Sequence, residues 1–345
     1  MQKVKSKALV AIVISVLAAA WFASGVNWSE LGTVLTSVDP LWVAVAAALL
    51  LGEFAIRAVR WKVLLRPLGT TAKVSDLFAA QVIGAATNTL FPLRAGEIAK
   101  PVVAAKRTGY SLTSVVATAV MERVYDLFGL LSVLLIMVLV LPDDGARDGE
   151  LVSNLKIYGA MFGGFAMICM FIFFILATRE KAARATFEAI LKIAPPPVRN
   201  QFMHLFDGFV KGLGNAKEKK GLLQAGALSV WMWFNGALAI YCLFMAMGMA
   251  LPFGAACFVA VAIALTVALP QAPGFIGVFH VAMEKTMLLW GQADANAQGF
   301  AIVFWAVSFL PVTIVGVVAI WREGLDWASL RGDAEGPLPA PNSTT

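Results

Sequence analysis

The chain has 345 residues, 60% of them hydrophobic and only 14% charged, with a mean hydropathy of +0.80. A soluble domain averages roughly 45–50% apolar and 25% charged residues, so this composition excludes a soluble globular protein and indicates a polytopic membrane protein. The net charge of +6 does not indicate a nucleic-acid partner, because the basic residues stand in loops beside apolar runs, where they retain those loops in the cytoplasm.

Three lysines precede the first apolar run, Ala8 to Ser24. The run is close to the ~17-residue lower limit for spanning, and the Ala-Ala-Ala-Trp that ends at Trp21 makes a poor signal-cleavage site. Residues 1–24 are therefore read as an uncleaved first transmembrane helix. A loop with Glu30 and Asp39 follows. A second helix is predicted from Pro40 to about Leu65, roughly 39 Å at helical rise. Its Glu53 and Arg57 stand four residues apart, in the favourable order for an ion pair. Arg57, Arg60, Lys62 and Arg66 mark its cytoplasmic end, and its arginines are also candidates to face a phosphate.

Residues 75–107 read as a broken hairpin. The apolar run Leu77 to Phe91 stops at Pro92 and is followed by Arg94, Gly96, Glu97 and Lys100. Charges and helix breakers at membrane depth are costly against lipid, so the segment is predicted to be re-entrant, buried in protein or lining a wet cavity. Arg66 and Lys73 before it, with Lys106 and Arg107 after it, place both open ends on the cytoplasmic side. A third helix, from about Leu112 to Leu141, carries Glu122, Arg123 and Asp126 near its start. Buried pairing of the Glu122–Asp126 face with Arg94 or Lys100 is expected, since intramembrane ionisable groups pair or line a pathway; solvation at headgroup level is the alternative.

An acidic loop leads to a fourth helix at about Leu155 to Ala177, completing a first half over 40–177. Residues 178–220 hold nine Lys or Arg against four Asp or Glu, divided by Pro195 to Pro197, and read as a cytoplasmic amphipathic linker. A second half, 221–322, contains a helix from about Leu222 to Met249, a hairpin over 252–290 broken at Pro270, Pro273, Gly274 and Gly277, and a last helix from about Phe300 to Trp321. The tail, 323–345, is rich in Pro and Gly and is expected to be disordered. Cys169, Cys242 and Cys257 lie inside apolar runs without metal-like spacing, and no Walker or dinucleotide loop is present, so no metal or other cofactor is expected.

Basic flanks put both termini and the linker in the cytoplasm and the acidic loops outside. An all-α fold of about six spanning helices plus two re-entrant Pro/Gly-broken hairpins satisfies every assignment. Each half runs long helix, broken hairpin, helix, and the two halves enter in opposite directions. That is an inverted repeat, whose paired broken segments point to a midplane transport site. The second hairpin's arms, about 17 and 16 residues, also suffice for two tilted spans.

The pattern Asn88-x3-Pro92-x-Arg94-x-Gly96-Glu97, then Glu122-Arg123-x2-Asp126, then Pro273-Gly274-x2-Gly277-x-Phe279 resembles the lysylphosphatidylglycerol synthase transmembrane-region family. That family contains the flippase half of the bacterial multiple peptide resistance factor and many stand-alone members. The resemblance covers about Val4 to Trp321. It implies a multi-pass protein of the bacterial cytoplasmic membrane that moves or binds a decorated lipid near re-entrant hairpins. The soluble aminoacyl-transferase domain is not expected here, so lysyl transfer from tRNA is not carried over. Phe275 and His280 depart from the family, which commonly has Gly and an acidic residue there.

Three functions stay open. The first is a translocase or flippase for a phosphate-bearing lipid, possible headgroups being aminoacylated or polyprenyl-linked. In it Arg94, Lys100 and Arg57 meet phosphate while Glu97, Glu122 and Asp126 balance charge or carry a proton. The second is a membrane enzyme acting on a lipid-linked substrate with Glu97 or Asp126 as base; the absence of a nucleophile or nucleotide motif weighs against it. The third is a lipid sensor or assembly partner that does not transport. The candidate lipid-binding residues are Asn88, Pro92, Arg94, Gly96, Glu97, Lys100, Glu122, Arg123, Asp126, Arg57, Pro270, Pro273, Gly274 and Gly277. Compatible partners are a membrane phospholipid, a second copy of the chain and a separate synthase.

Overall fold

The structure, a computed structural model, describes residues 2–69, 71–91, 94–140, 219–268 and 272–323, with single helical positions at 157, 161, 188 and 203. The regular structure of these residues is entirely helical. The predicted fourth helix, nearly all of the 178–220 linker and the tail beyond Glu323 lie outside the described residues, as do Pro92 and Pro270.

Helix α1 (Gln2–Ser24) turns by 89° into α2 (Trp28–Thr36). A loop was expected at α2. The Asn27 side chain accepts a hydrogen bond from the Glu30 amide, Glu30 lies in the positive first turn, and Leu31 is buried, which together stabilise a short helix. Helix α3 (Pro40–Leu65) starts with Asp39 accepting from the Leu41 amide at 2.8 Å and with Pro40 in its first turn. Next come α4 (Val74–Leu90), α5 (Gly96–Thr108) and α6 (Leu112–Val140). The second half contributes α7 (Lys219–Ala246), α8 (Phe253–Ala268), α9 (Val278–Leu289) and α10 (Asp294–Arg322). Helix α10 begins at Asp294 instead of Phe300, because Ala297 and Gln298 are buried and the expected polar loop is its first two turns.

Among the described residues α3 with its 3-10 extension, α6, α7 and α10 are long and apolar enough to cross a membrane, and α1 with α2 makes a fifth if the bent pair is one span. Side chains such as Leu41, Leu139, Ile314 and Trp321 point outward, as lipid-facing surface does. The main core joins α7 to α10 with parts of α3 and α6, and a smaller core around Trp61, Leu77, Ile83 and Val103 joins α3, α4, α5 and α6.

Within the two segments read as hairpins the described residues form helix pairs. In the first, α4 and α5 lie side by side, with 17 and 13 residues. The open end is tied by Arg107 Nε to Asp76 at 3.2 Å and by the Thr71 hydroxyl donating to the Thr108 carbonyl at 3.3 Å. In the second, α8 and α9 have 16 and 12 residues, and Phe258 meets Trp290 at the open end with ring centroids 6.1 Å apart. The longest of these arms is roughly 26 Å, short of the ~30 Å hydrocarbon core. Each tip carries a non-glycine residue in the left-handed region, Arg94 at φ 56° and Phe275 at φ 58°. Helix α4 touches the Pro273–Phe275 turn, so the first hairpin borders the tip of the second.

The halves interlock. Helix α3 packs most extensively on α7, and α10 on α4. Gly316 of α10 lies so close to α4 that a Cβ would run into the Val82 carbonyl, and Gly129 of α6 is pressed in the same way against Trp233 and the Ser229 carbonyl of α7.

Candidate functional site

Four helices bring ten charged side chains or their amide partners into one network. Helix α6 supplies Glu122, Arg123 and Asp126; α3 supplies Glu53, Arg57 and Arg60; α5 supplies Glu97 and Lys100; α4 supplies Gln81; Arg94 stands at the hairpin tip. Helical spacing explains the local arrangement, since residues three and four apart share a face.

The inner part is buried. Arg60 is fully enclosed, its side chain 0% exposed, and Glu122 opposite is 2% exposed. Arg60 donates to Asp126 Oδ1 at 2.7 Å and to the Ser229 hydroxyl at 2.8 Å, and stands 3.7 Å from Glu122. Lys100 Nζ donates to Glu122 Oε2 at 2.5 Å, while the Gln81 amide donates to Oε1 at 2.9 Å. Lys100 also sits 4.6 Å above the Trp61 ring, whose N–H donates to Thr118 at 3.0 Å. Buried charge is tolerated only when paired and hydrogen-bonded; each charge here is paired, although the Arg60 Nε finds no acceptor among the described residues. This inner part fastens α3, α5 and α6 together.

The outer part is open. Arg94 and Glu97 are each 37% exposed at the side chain and Arg123 is 51% exposed. Both guanidiniums converge on the Glu97 carboxylate, Arg123 Nη2 at 2.6 Å from Oε2 and Arg94 Nη2 at 3.3 Å from Oε1. Arg123 also reaches Asp126 at 3.4 Å, and Arg57 bonds Glu53 at 2.6 Å and approaches Asp126 at 3.7 Å. The buried Nε of Arg94 finds no hydrogen-bond partner among the described residues. The result is a chain of alternating charge, Glu53, Arg57, Asp126, Arg123, Glu97, Arg94, ending at the exposed tip of a broken hairpin.

Of the two partners expected for the Glu122–Asp126 face, Lys100 takes the role; Arg94 pairs within its own turn instead. Asn88 Oδ1 accepts from the Gly96 amide at 2.8 Å, which holds the start of α5 against α4. A Cβ at Gly96 would collide with the Gly84 carbonyl, so this glycine serves close backbone approach.

The sequence model of the lysylphosphatidylglycerol synthase TM region matches residues 8–316. The chain belongs to that family. Similar curated proteins include a UPF0104 membrane protein of Methanothermobacter thermautotrophicus, 24% identical over 80% of this chain and 82% of that protein. A UPF0104 membrane protein of Methanocaldococcus jannaschii is 25% identical over 68% of this chain and 92% of its own. The glycosyltransferase AglD of Haloferax volcanii is 25% identical over 89% of this chain, which spans only 53% of that protein. No solved structure gives a significant match.

The residues that carry the family resemblance occupy two different settings. In the first, Arg94, Glu97, Glu122, Arg123 and Asp126 join the ion network while Asn88 and Gly96 hold α5 against α4. Pro273, Gly274 and Gly277 instead shape a turn: the Gly274 carbonyl accepts from Trp305 Nε1 at 2.6 Å, the Ala272 amide donates to Ser15 at 2.9 Å, and Gly277 packs directly on the α1 backbone at Ser15. That turn adds no charged group to the network among the described residues. Gln81 and Trp61, which touch this network, are not among the candidates read from the sequence, and Arg60, read there as a cytoplasmic-end or phosphate-facing arginine, is enclosed in it. Arg60 falls three positions after Arg57 on the same helix face, and Gln81 is a lone amide in an apolar run; both signals were there. The second half also buries Glu284, to which Gln298 donates at 3.3 Å.

Proposed function

We propose that this member of the family is a multi-pass membrane translocase, or lipid-binding transporter, for a phosphate-bearing lipid. One observation carries the reading: two half-exposed guanidiniums, Arg94 and Arg123, converge at the tip of a broken hairpin, above a buried ion network that fixes their supporting helices. A planar guanidinium suits bidentate phosphate contact better than an ammonium does. Lys100, paired with Glu122, is an anchor in this reading and not a phosphate ligand. Hairpin arms too short to cross support two re-entrant elements, dipping from opposite faces in an inverted repeat with both termini cytoplasmic.

The test is lipid movement in vesicles reconstituted with the full chain and a fluorescent headgroup-labelled phospholipid. Arg94→Ala and Arg123→Ala are expected to slow movement about tenfold each, the cost of one charge-assisted contact. Unchanged movement in Arg94→Ala would remove the proposal. A second reading, a membrane module for an enzyme acting on a lipid-linked substrate, draws support from the glycosyltransferase name of one relative. Turnover of such a substrate by purified protein, abolished in Glu97→Gln, is the outcome that favours it.

A further inference from the structure

We infer that Glu97 is an internal stand-in for the ligand's phosphate, a latch that a phosphate-bearing headgroup must displace. This rests on the lipid-phosphate reading above and adds the residue that sets affinity and release. The outer part of the network holds two guanidiniums against the one carboxylate they share, with Arg123 Nη2 on Oε2 and Arg94 Nη2 on Oε1. Each carboxylate oxygen therefore occupies one guanidinium, the same two-oxygen geometry a phosphodiester would offer. Glu97 lies in the first turn of α5, where the positive helix end favours an anion of either origin.

Three features make Glu97 displaceable. It is the most exposed carboxylate of the network, so the ion pairs it gives up are screened by water and cost little to break. Pro101 lacks the amide that would bond the Glu97 carbonyl, which loosens the turn carrying it. Arg94, held at φ 56°, loses its Glu97 pair when the latch opens, and its Nε has no partner among the described residues. The other carboxylates are not comparable. Glu122 accepts from Lys100 and Gln81, and Asp126 is ringed by Arg57, Arg60 and Arg123. Displacing Glu97 breaks the tie between the start of α5 and α6 while Lys100–Glu122, one turn further on, still holds.

The experiment is equilibrium binding of dioctanoyl phosphatidylglycerol to the full chain in detergent, with dioctanoylglycerol as the uncharged control. Glu97→Gln keeps the shape and removes the competing charge, so the probe should bind roughly two- to fivefold more tightly at low salt, with the gain shrinking as salt rises. The gain should appear as faster association, because no internal anion then occupies the two arginines. A merely structural Glu97 predicts the opposite sign, looser binding. If Glu97→Gln is recovered unfolded, Glu97→Asp replaces it, since the shorter side chain withdraws from Arg123 and should also tighten binding. Binding by wild type that weakens in Arg94→Ala yet does not tighten in either Glu97 variant overturns the latch alone. Failure of every form to distinguish the probe from dioctanoylglycerol overturns the lipid-phosphate reading and the latch with it.

Discussion

Arg60 and Arg94 are the same residue type in opposite circumstances, and the contrast separates support from contact. Arg60 is enclosed and bonded to Asp126 and Ser229, with Glu122 close by. Removing it leaves two buried carboxylates short of a cation, so Arg60→Leu should lose about 3–5 kcal/mol of stability. Thermal unfolding in detergent measures this, and Arg94→Ala, at a half-exposed position, should move the same transition little. The buried Lys100–Glu122 pair behaves like Arg60. Lys100→Met alone should destabilise by a similar amount, while Lys100→Met with Glu122→Met should recover most of the loss, because paired apolar replacements avoid an orphaned charge. A double mutant no better than the single would show that the pair is not coupled.

At the scale of elements, the first hairpin depends on how closely α4 and α5 approach. Gly84 and Gly96 face each other across the pair, and a Cβ at Gly96 meets backbone, which cannot step aside. Gly96→Ala should therefore lose at least about 2 kcal/mol, in the range of overpacked cores. Gly109, which ends α5 at φ 74° with open space around it, is the comparison. There Gly109→Ala should cost only about 1 kcal/mol, the strain of a left-handed alanine. Equal losses at the two positions would mean that strain, not contact, governs both. The end of α4 near Leu90 and the start of α5 at Gly96 were legible in the sequence, because an apolar run stops there and charged residues follow. The sequence did not mark α2, where a cap at Asn27 and one buried leucine turn a polar-looking connection into helix.

For the whole molecule, the interleaving of α3 with α7 and of α10 with α4 makes one body of the two halves. The proposed orientation places Lys73, Lys106 and Arg322 on the cytoplasmic side and Ser37 and Asp294 on the other. Single cysteines at these positions, in a background without the native cysteines, should react with a membrane-impermeant thiol reagent in those two groups. Labelling of Lys73→Cys and Lys106→Cys from opposite faces would rule out a hairpin that returns to its own side.

Composition, hydropathy and the positions of Pro and Gly are local properties, and they alone were enough to establish a membrane protein, the bounds of α3 and α6, and breaks within 75–107 and 252–290. They also required the intramembrane charges to find partners, since lipid offers none. Which partners they found was a tertiary decision. Lys100 met Glu122, and Arg60 became the enclosed hub between Asp126 and Ser229, because helix rotation and crossing set those distances across 22 to 169 residues of chain. No periodicity within one helix encodes the rotation of its neighbour, so the sequence could say that charges pair but only the assembled helices could say which.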